Sequence, residues 1–197
     1  MAEYTAIVEA GNALVEFLRD ALTPEPISKR ELISLCSPHE SENNQLTVQL
    51  FHIEEDNQTG AGSGFIRQSQ DVQRMAPSRF QLSFLITAHS KAPAQLREAD
   101  QYRMLGAALQ ALKDQPTLGR QYLQGSLLDT DSLLHLIIER PTFDQLIKIW
   151  NNTAKPYKLS IVCKVEGVLI DSKRTRRIAR VGDVDISLDE KPQGDSI

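Results

Sequence analysis

The most regular alternation in the chain lies in residues 80–88, and it predicts a β-strand with one buried face. Successive side chains of an extended backbone point to opposite faces, so every second position shares a face. The positions on the apolar face are Phe80, Leu82, Phe84, Ile86 and Ala88. Such an apolar face must be covered by a second layer, so the strand indicates a layered sheet fold.

Two longer helices are predicted, one before and one after this strand. In the first, apolar residues recur at three- and four-residue steps until Pro24 and Pro26, which end it because proline donates no backbone hydrogen bond. These residues are Ile7, Ala10, Leu14, Phe17, Leu18, Ala21 and Leu22. The second helix is predicted over residues 94–113. The buried stripe expected on it consists of Tyr102, Leu105, Ala108, Leu109 and Leu112.

A short third helix and four further strands complete the pattern. The helix is predicted over residues 142–151, where Thr142 and Gln145 fit a capping box. The strands are predicted over residues 31–36, 45–54, 133–139 and 157–170. In the strand over 45–54, Phe51 and Ile53 share the second face, so we expect part of this strand to be covered on both sides.

These elements predict an α+β (mixed α/β) fold: one mixed, largely antiparallel sheet flanked by helices, with a C-terminal arm. We place an α/β domain over residues 1–171 and a basic arm with a disordered tail over residues 172–197. Within the arm, a Gly-Asp pair at 182–183 between apolar flanks predicts a two-residue hairpin turn. The residues from 189 onward are expected to be disordered.

Two polar segments stand outside this framework. Residues 55–78 are long and glycine-containing, which indicates either a projecting loop or a hairpin extension. The glycines at 60–64 precede no helix, so they do not fit a phosphate-binding loop. The other segment is a basic run, which is either a solvated arm or a docking arm whose arginines pair with carboxylates of a partner or neighbouring subunit. The candidate partner-binding residues are Lys173, Arg174, Arg176, Arg177 and Arg180, together with Arg67, Arg74 and Arg79.

The sequence also indicates where in the cell the protein is located. It has no apolar run of about eighteen residues and no signal-like N-terminus, so we expect no membrane span and a cytoplasmic location. Cys36 and Cys163 are far apart in apolar runs, which favours reduced core thiols there, although a disulfide is left open. A formal net charge of -4 argues against nucleic-acid binding over the whole surface.

No catalytic or metal-binding signature stands out. The four histidines do not pair at the four-residue spacing of a zinc site, and no two cysteines lie two residues apart. His89 directly follows the strand over 80–88, so a hydrolase that uses His89 and nearby acids is one alternative. A small nucleic-acid- or protein-binding adaptor that uses the basic arm is another. The leading expectation is a binding or assembly protein that is not an enzyme and needs no cofactor or metal.

Several framework stretches resemble one known family. They are residues 4–7, 11–15 and 22–24, the strand LSFLITA at 82–88, Leu105-Gly106, Ile149-Trp150-Asn151 and residues 156–160. The resemblance spans residues 4–171. The family is that of the tail-terminator or cap proteins of phage-tail-like contractile injection systems, of the virulence-cassette and antifeeding-prophage type.

The resemblance implies a structural role. A tail terminator is expected to form a ring of six subunits that ends the polymerisation of the inner tube and the sheath. Its implied partners are copies of itself, the inner-tube protein and the sheath protein, with no small-molecule substrate, no membrane and no nucleic acid. The arm after Asp171 is a candidate for strand addition to a neighbour, so truncation there is expected to weaken assembly.

Overall fold

The computed structural model describes residues 3–39, 43–56, 64–130, 133–151 and 156–178. In chain order, its helices and strands are α1 (Ala6–Leu22), β1 (Ile33–Leu35), β2 (Leu46–Glu55), β3 (Phe65–Arg67), β4 (Val72–Met75), β5 (Ser78–Ala88), α2 (Ala94–Asp114), β6 (Thr117–Leu118), β7 (Leu134–Ile138), α3 (Phe143–Asn151), β8 (Ser160–Ile170) and β9 (Thr175–Arg177). Of the segment predicted as a strand over 31–36, only Ile33–Leu35 is extended, and a 3₁₀ turn over Arg30–Leu32 precedes it.

Six of the strands form one sheet in the order β1-β2-β5-β8-β7-β6. Only β1 and β2 pair in parallel; the other four pairings are antiparallel. The predicted α+β fold, with a mixed and largely antiparallel sheet flanked by helices, is therefore confirmed.

One face of this sheet is covered by α1 and α2. The alternation of β5 predicts the direction of Leu82, Phe84 and Ile86 correctly, since they lie on this face and are almost completely buried. Burial is not confined to this face, however, because every residue from 82 to 88 is buried. Leu14 and Leu18 of α1 pack into the same cluster and are 0% exposed. Each such side chain stabilises the fold by about 1.5–3 kcal/mol, so this layer holds the domain together.

The opposite face is covered in part by α3. Trp150 packs there against Leu85 and Val162, which are cross-strand neighbours on β5 and β8.

The predicted capping box at the start of α3 is confirmed. The Thr142 amide donates to Gln145 Oε1 at 2.8 Å, and the Gln145 amide donates to Thr142 Oγ1 at 3.4 Å.

Two bulges alter the pattern expected from simple alternation. In β2, Leu50 pairs with Phe84 but His52 pairs with Ser83, so Phe51 is an extra residue. Phe51 packs with the Trp150 cluster as predicted, whereas Ile53 is turned away from it and is 45% exposed, so that half of the prediction is wrong. In β8, the extra residue is Gly167, whose φ of 94° lies in the left-handed region that favours glycine.

The stripe predicted for α2 is partly wrong. Leu105, Ala108 and Leu112 are buried, but Tyr102 is 54% exposed and Leu109 is 39% exposed. The buried stripe runs from Met104 at one edge to Leu105 at the other, and the 100° rotation per residue places Tyr102 and Leu109 beyond the Leu105 edge.

The two cysteines occupy different environments. Cys163 is buried in the core, and burial, together with the charge of Glu139, raises the pKa of its thiol to about 12. It is therefore the core thiol that the sequence predicts. Cys36 is half-buried, and its Sγ accepts a hydrogen bond from Asn44 Nδ2 at 3.3 Å.

Candidate interaction surface

The two polar segments that the sequence sets apart meet in a second, three-stranded sheet. Its order is β3-β4-β9, and both pairings are antiparallel. Of the two alternatives for residues 55–78, a hairpin extension is therefore correct for the described part, and β9 of the basic run adds its third strand. The backbone bonds extend past β9, since the Met75 amide donates to the Arg174 carbonyl and the Ile178 amide to the Asp71 carbonyl, each at 2.9 Å.

An ion pair fastens this small sheet to the end of β8. Arg74 Nη2 of β4 lies 3.1 Å from Asp171 Oδ1, and the two side chains are only 17% and 18% exposed. A partly buried pair is less screened by salt than a surface pair, so it should fix where the chain enters β9.

Two arginines stack on a phenylalanine on one face of the small sheet. The guanidinium of Arg176 lies 4.2 Å from the ring centroid of Phe65, and that of Arg174 lies 5.9 Å from it. Arg176 Nε also donates to Gln73 Oε1 at 2.8 Å. The cation–π contact and this hydrogen bond hold the guanidinium group of Arg176 in place, although the residue is exposed.

This small sheet is strongly basic. Residues 64–78 and 171–178 carry six basic and two acidic side chains, a formal charge of +4 in a chain whose total is -4. The exposed basic residues are Arg67, Lys173, Arg174, Arg176 and Arg177. We call residues 64–78 and 171–178 the basic sheet.

The basic sheet brings together six of the eight partner-binding residues proposed from the sequence. Arg67 and Arg74 lie in the hairpin, while Lys173, Arg174, Arg176 and Arg177 lie in or before β9. Arg79 lies next to the hairpin at the start of β5, half-buried, and its carbonyl accepts from the Asp56 amide at 2.8 Å. Arg180, the predicted turn at 182–183 and the predicted disordered tail fall outside the described residues.

Sequence reasoning missed the aromatic part of this surface. The basic run itself contains no aromatic residue, and Phe65 lies more than one hundred positions before Arg174 and Arg176. Gln73 is likewise 103 positions from Arg176. No local spacing relates such distant residues, so only the pairing of β9 with β4 shows them to be neighbours.

A second charged region, also missed by the sequence analysis, lies on the face of the main sheet that α3 covers in part. Lys164 Nζ lies 2.8 Å from Glu139 Oε1. This hydrogen bond raises the pKa of Lys164, against the opposing effect of burial, and the charges of Glu139, Glu166 and Glu54 raise it further. Three carboxylates thus influence one ammonium, and we call Glu54, Glu139 and Glu166 the acidic face.

The histidine considered as a catalytic candidate is enclosed by hydrogen bonds. His89 is 6% exposed, with Nε2 3.0 Å from Thr47 Oγ1 and Nδ1 3.1 Å from Lys158 Nζ. The ammonium can only donate, so Nδ1 accepts and the neutral ring donates from Nε2 to the hydroxyl. These contacts hold the ring against the end of the sheet.

Surface cavities of a size to hold a small ligand lie beside α1 and α3. Cavities of about 500 and 610 Å³ flank α3 and share Phe51, Lys148 and Ile149 in their walls. A third, of about 300 Å³, lies between α1 and Leu35. None of the three is lined by His89. Within the described ranges, no three His, Cys, Asp or Glu side chains converge as metal ligands.

Comparisons with known proteins agree with this architecture. Residues 9–182 match the family model of the Pvc16 N-terminal domain. Among solved structures, the chain is similar to the PVC sheath/tube terminator, in the extended state, of an extracellular contractile injection system, with a TM-score of 0.67 and 16% identity over 98% of this chain and 66% of that one. No curated protein matches it.

The cryo-EM structure of the anti-feeding prophage cap, a tube-terminating cap, is a further neighbour. Its TM-score is 0.52 at 18% identity, over 92% of this chain and 61% of that one. The chain thus spans just under two thirds of the length of each neighbour. None of its described helices is long and apolar enough to cross a membrane. The resemblance drawn from the sequence is confirmed, and the chain belongs to the family of the Pvc16 N-terminal domain.

Proposed function

We propose that the chain is a structural cap of a contractile injection system, which forms a ring and ends the polymerisation of the inner tube and the sheath. The observation that carries this proposal is the family match over residues 9–182. The names of both structural neighbours, a sheath/tube terminator and a tube-terminating cap, support it. The nucleic-acid alternative finds no support among them.

The edges of the main sheet suit a protein that stops growth. The edge strands are short, three residues in β1 and two in β6. In β1, the Ile33 carbonyl accepts from Arg19 Nε at 3.0 Å and from Arg19 Nη2 at 2.7 Å. Short, occupied edges discourage the addition of another strand, so contacts with neighbours would run through side-chain surfaces instead.

In this role the chain works by shape and charge, without catalysis or a cofactor. A cap needs one surface that fits the last ring of the particle and another that accepts no further ring. The basic sheet is the surface we assign to contacts with other subunits of the particle, with Arg67 and Arg174 among its candidate residues and Arg79 beside it at the start of β5. Assembly would take place in the cytoplasm, and the ring would be hexameric to match a six-fold tube.

The experiment that tests this function removes the gene from cells that make the particle. We expect sheaths and tubes of variable, extended length without the chain, and normal length when it is restored. Electron microscopy of purified particles measures the length distribution, and labelled antibody against the chain locates it at one end. A matched control restores the Glu98→Gln variant, which changes only an exposed charge on α2. Particles of normal length with blunt ends, made without the chain, would show that it is not the cap.

A further inference from the structure

Part of the face of the main sheet that carries α3 is not covered by this helix and is exposed to solvent. Register places Glu54 of β2, Gln81 of β5 and Glu166 of β8 in one row across three neighbouring strands. Ile137 of β7 pairs with Lys164 beside this row and is 42% exposed. The open part therefore combines the acidic face with an exposed apolar side chain.

Only one of the three carboxylates of the acidic face has a salt bridge among the described residues. Lys164 pairs with Glu139, whereas within the described ranges Glu54 and Glu166 form no salt bridge of their own. On the basic sheet, Arg67, Arg174 and Arg176 likewise form no salt bridge with any described carboxylate. Among the described residues, two surfaces of opposite sign thus carry side chains without salt-bridge partners.

The two surfaces are also complementary in chemical type. Three guanidiniums lie on one side of the basic sheet, and three carboxylates make up the acidic face. The guanidinium group of Arg176 is already held by Phe65 and Gln73, so its side chain loses little entropy when it pairs with a carboxylate. Phe65 and Ile137 would supply apolar contact between the charged pairs.

We propose that the basic sheet of one copy binds the acidic face of the next copy, and that this contact links the subunits of the ring. The inference rests on the proposed function, since it identifies a second copy of the chain as the partner of the basic sheet. The contact joins two different surfaces, so every subunit uses both, and a repeated rotation closes the set into a ring. Arg67, Arg174 and Arg176 of one subunit pair with Glu54 and Glu166 of its neighbour.

The test uses two charge-reversal variants of the full chain. The first carries Arg67→Glu, Arg174→Glu and Arg176→Glu, and the second carries Glu54→Arg and Glu166→Arg. At low salt, wild-type chain should sediment as a species larger than a dimer, and the species should fall apart as salt approaches about 0.5 M. Each variant alone should associate about a hundredfold more weakly, because like charges then face each other.

Mixing the two variants is the decisive measurement. In an equal mixture, each reversed surface meets a complementary surface of the other variant, so assembly should return to near the wild-type level. The matched control reverses three exposed charges on α2, with Arg97→Glu, Arg103→Glu and Lys113→Glu, and should associate like wild type. Circular dichroism verifies that every variant is folded.

Several outcomes would overturn the inference. They are a wild-type chain that stays monomeric at low salt, variants that associate as tightly as wild type, or a folded mixture that does not reassemble. Association lost only in the α2 control would assign the contact to that helix instead. Labelling of particle ends separates this inference from the proposed function: a chain found at the end of particles, but with no rescue by mixing, remains a cap that uses another subunit contact.

Discussion

The two sheets of this protein use phenylalanine in opposite ways. Phe84 lies in the middle of the six-stranded sheet, 1% exposed, under the helices α1 and α2. Phe65 lies in the basic sheet, where it is half-buried and its ring faces the guanidiniums of Arg174 and Arg176. The first ring stabilises the fold by removal from water, and the second positions charges at the surface.

The same contrast extends to the backbone. β5 pairs with β8 over ten registered positions, whereas β4 pairs with β9 over three. A short sheet with few buried apolar side chains opens at lower free energy than a long buried one. The molecule thus separates a rigid body, which defines the shape, from a less stable charged surface, which is free to adapt to a neighbour.

The largest expected effect compares the two phenylalanines directly. Phe84→Ala removes a fully buried ring and should lower the free energy of unfolding by about 3–5 kcal/mol. Phe65→Ala loses mainly cation–π contact and should cost less than about 1 kcal/mol. Urea unfolding followed by circular dichroism measures both. Similar losses for the two variants would contradict the division between a rigid body and an adaptable surface.

The next effect concerns the bulge that interrupts the long pairing of β8 with β5. A Cβ at Gly167 would lie 2.5 Å from the Leu133 carbonyl oxygen, and the positive φ is itself strained for alanine. Gly167→Ala should therefore destabilise the main sheet by about 1–3 kcal/mol. The matched control is Gly106→Ala in α2, where a Cβ meets no atom within 4 Å and should stabilise the helix by about 0.5–1 kcal/mol. Thermal unfolding distinguishes the two, and a Gly167→Ala variant as stable as wild type would contradict the strain argument.

A smaller effect depends on pH and belongs to the rigid body alone. Glu9 of α1 accepts from Ser126 Oγ at 2.8 Å and from the Leu127 amide at 3.0 Å. Burial raises the pKa of Glu9, but hydrogen bonds from Thr5, Ser126 and Leu127 outweigh it, and the net pKa is lowered. A lowered folded-state pKa stabilises the fold above the unfolded value of about 4.3, and this stabilisation disappears as pH falls through the folded value.

Glu9→Gln tests this dependence. At pH 7 the variant should be less stable by about 1 kcal/mol, because the charged acceptor is lost. The difference from wild type should shrink below about pH 4. Denaturant unfolding at several pH values measures it, and a difference that stays constant from pH 7 to pH 3 would show that Glu9 ionisation does not contribute.

The smallest expected effect is local to the basic sheet. Asp171→Asn breaks the ion pair with Arg74, so β9 should open more often while the main sheet is unaffected. Amide exchange at Arg176 and Ile178 should accelerate by roughly threefold, which corresponds to about 0.6 kcal/mol, with no change in β5. Asp114→Asn, at the end of α2, is the matched control. Acceleration throughout both sheets would mean that they unfold as one unit.

Much of the rigid body could be predicted from local pattern. The direction of the apolar side chains in β5, the spacing in α1 and the capping box of Thr142 and Gln145 each reflect contacts within a few residues. The structure confirms them, except that Ala21 near the end of α1 is exposed. Where prediction was wrong, at Ile53 and Tyr102, a bulge or a shifted helix face changed the direction of side chains. Such changes depend on the neighbouring strand or layer, which local spacing does not contain.

The sequence by itself determined the class of fold, the need for a second layer over the apolar face of β5, and the set of basic residues. It could do so because periodicity and composition are properties of contiguous segments. Only the tertiary structure decided that the hairpin after β2 and the basic run after β8 form one sheet. It also placed Phe65 beneath Arg176 and brought Glu54 and Glu166 into one row across the main sheet, with Lys164 paired to Glu139. The physical reason is that strand pairing joins residues about one hundred positions apart, and these surfaces exist only once that pairing has formed.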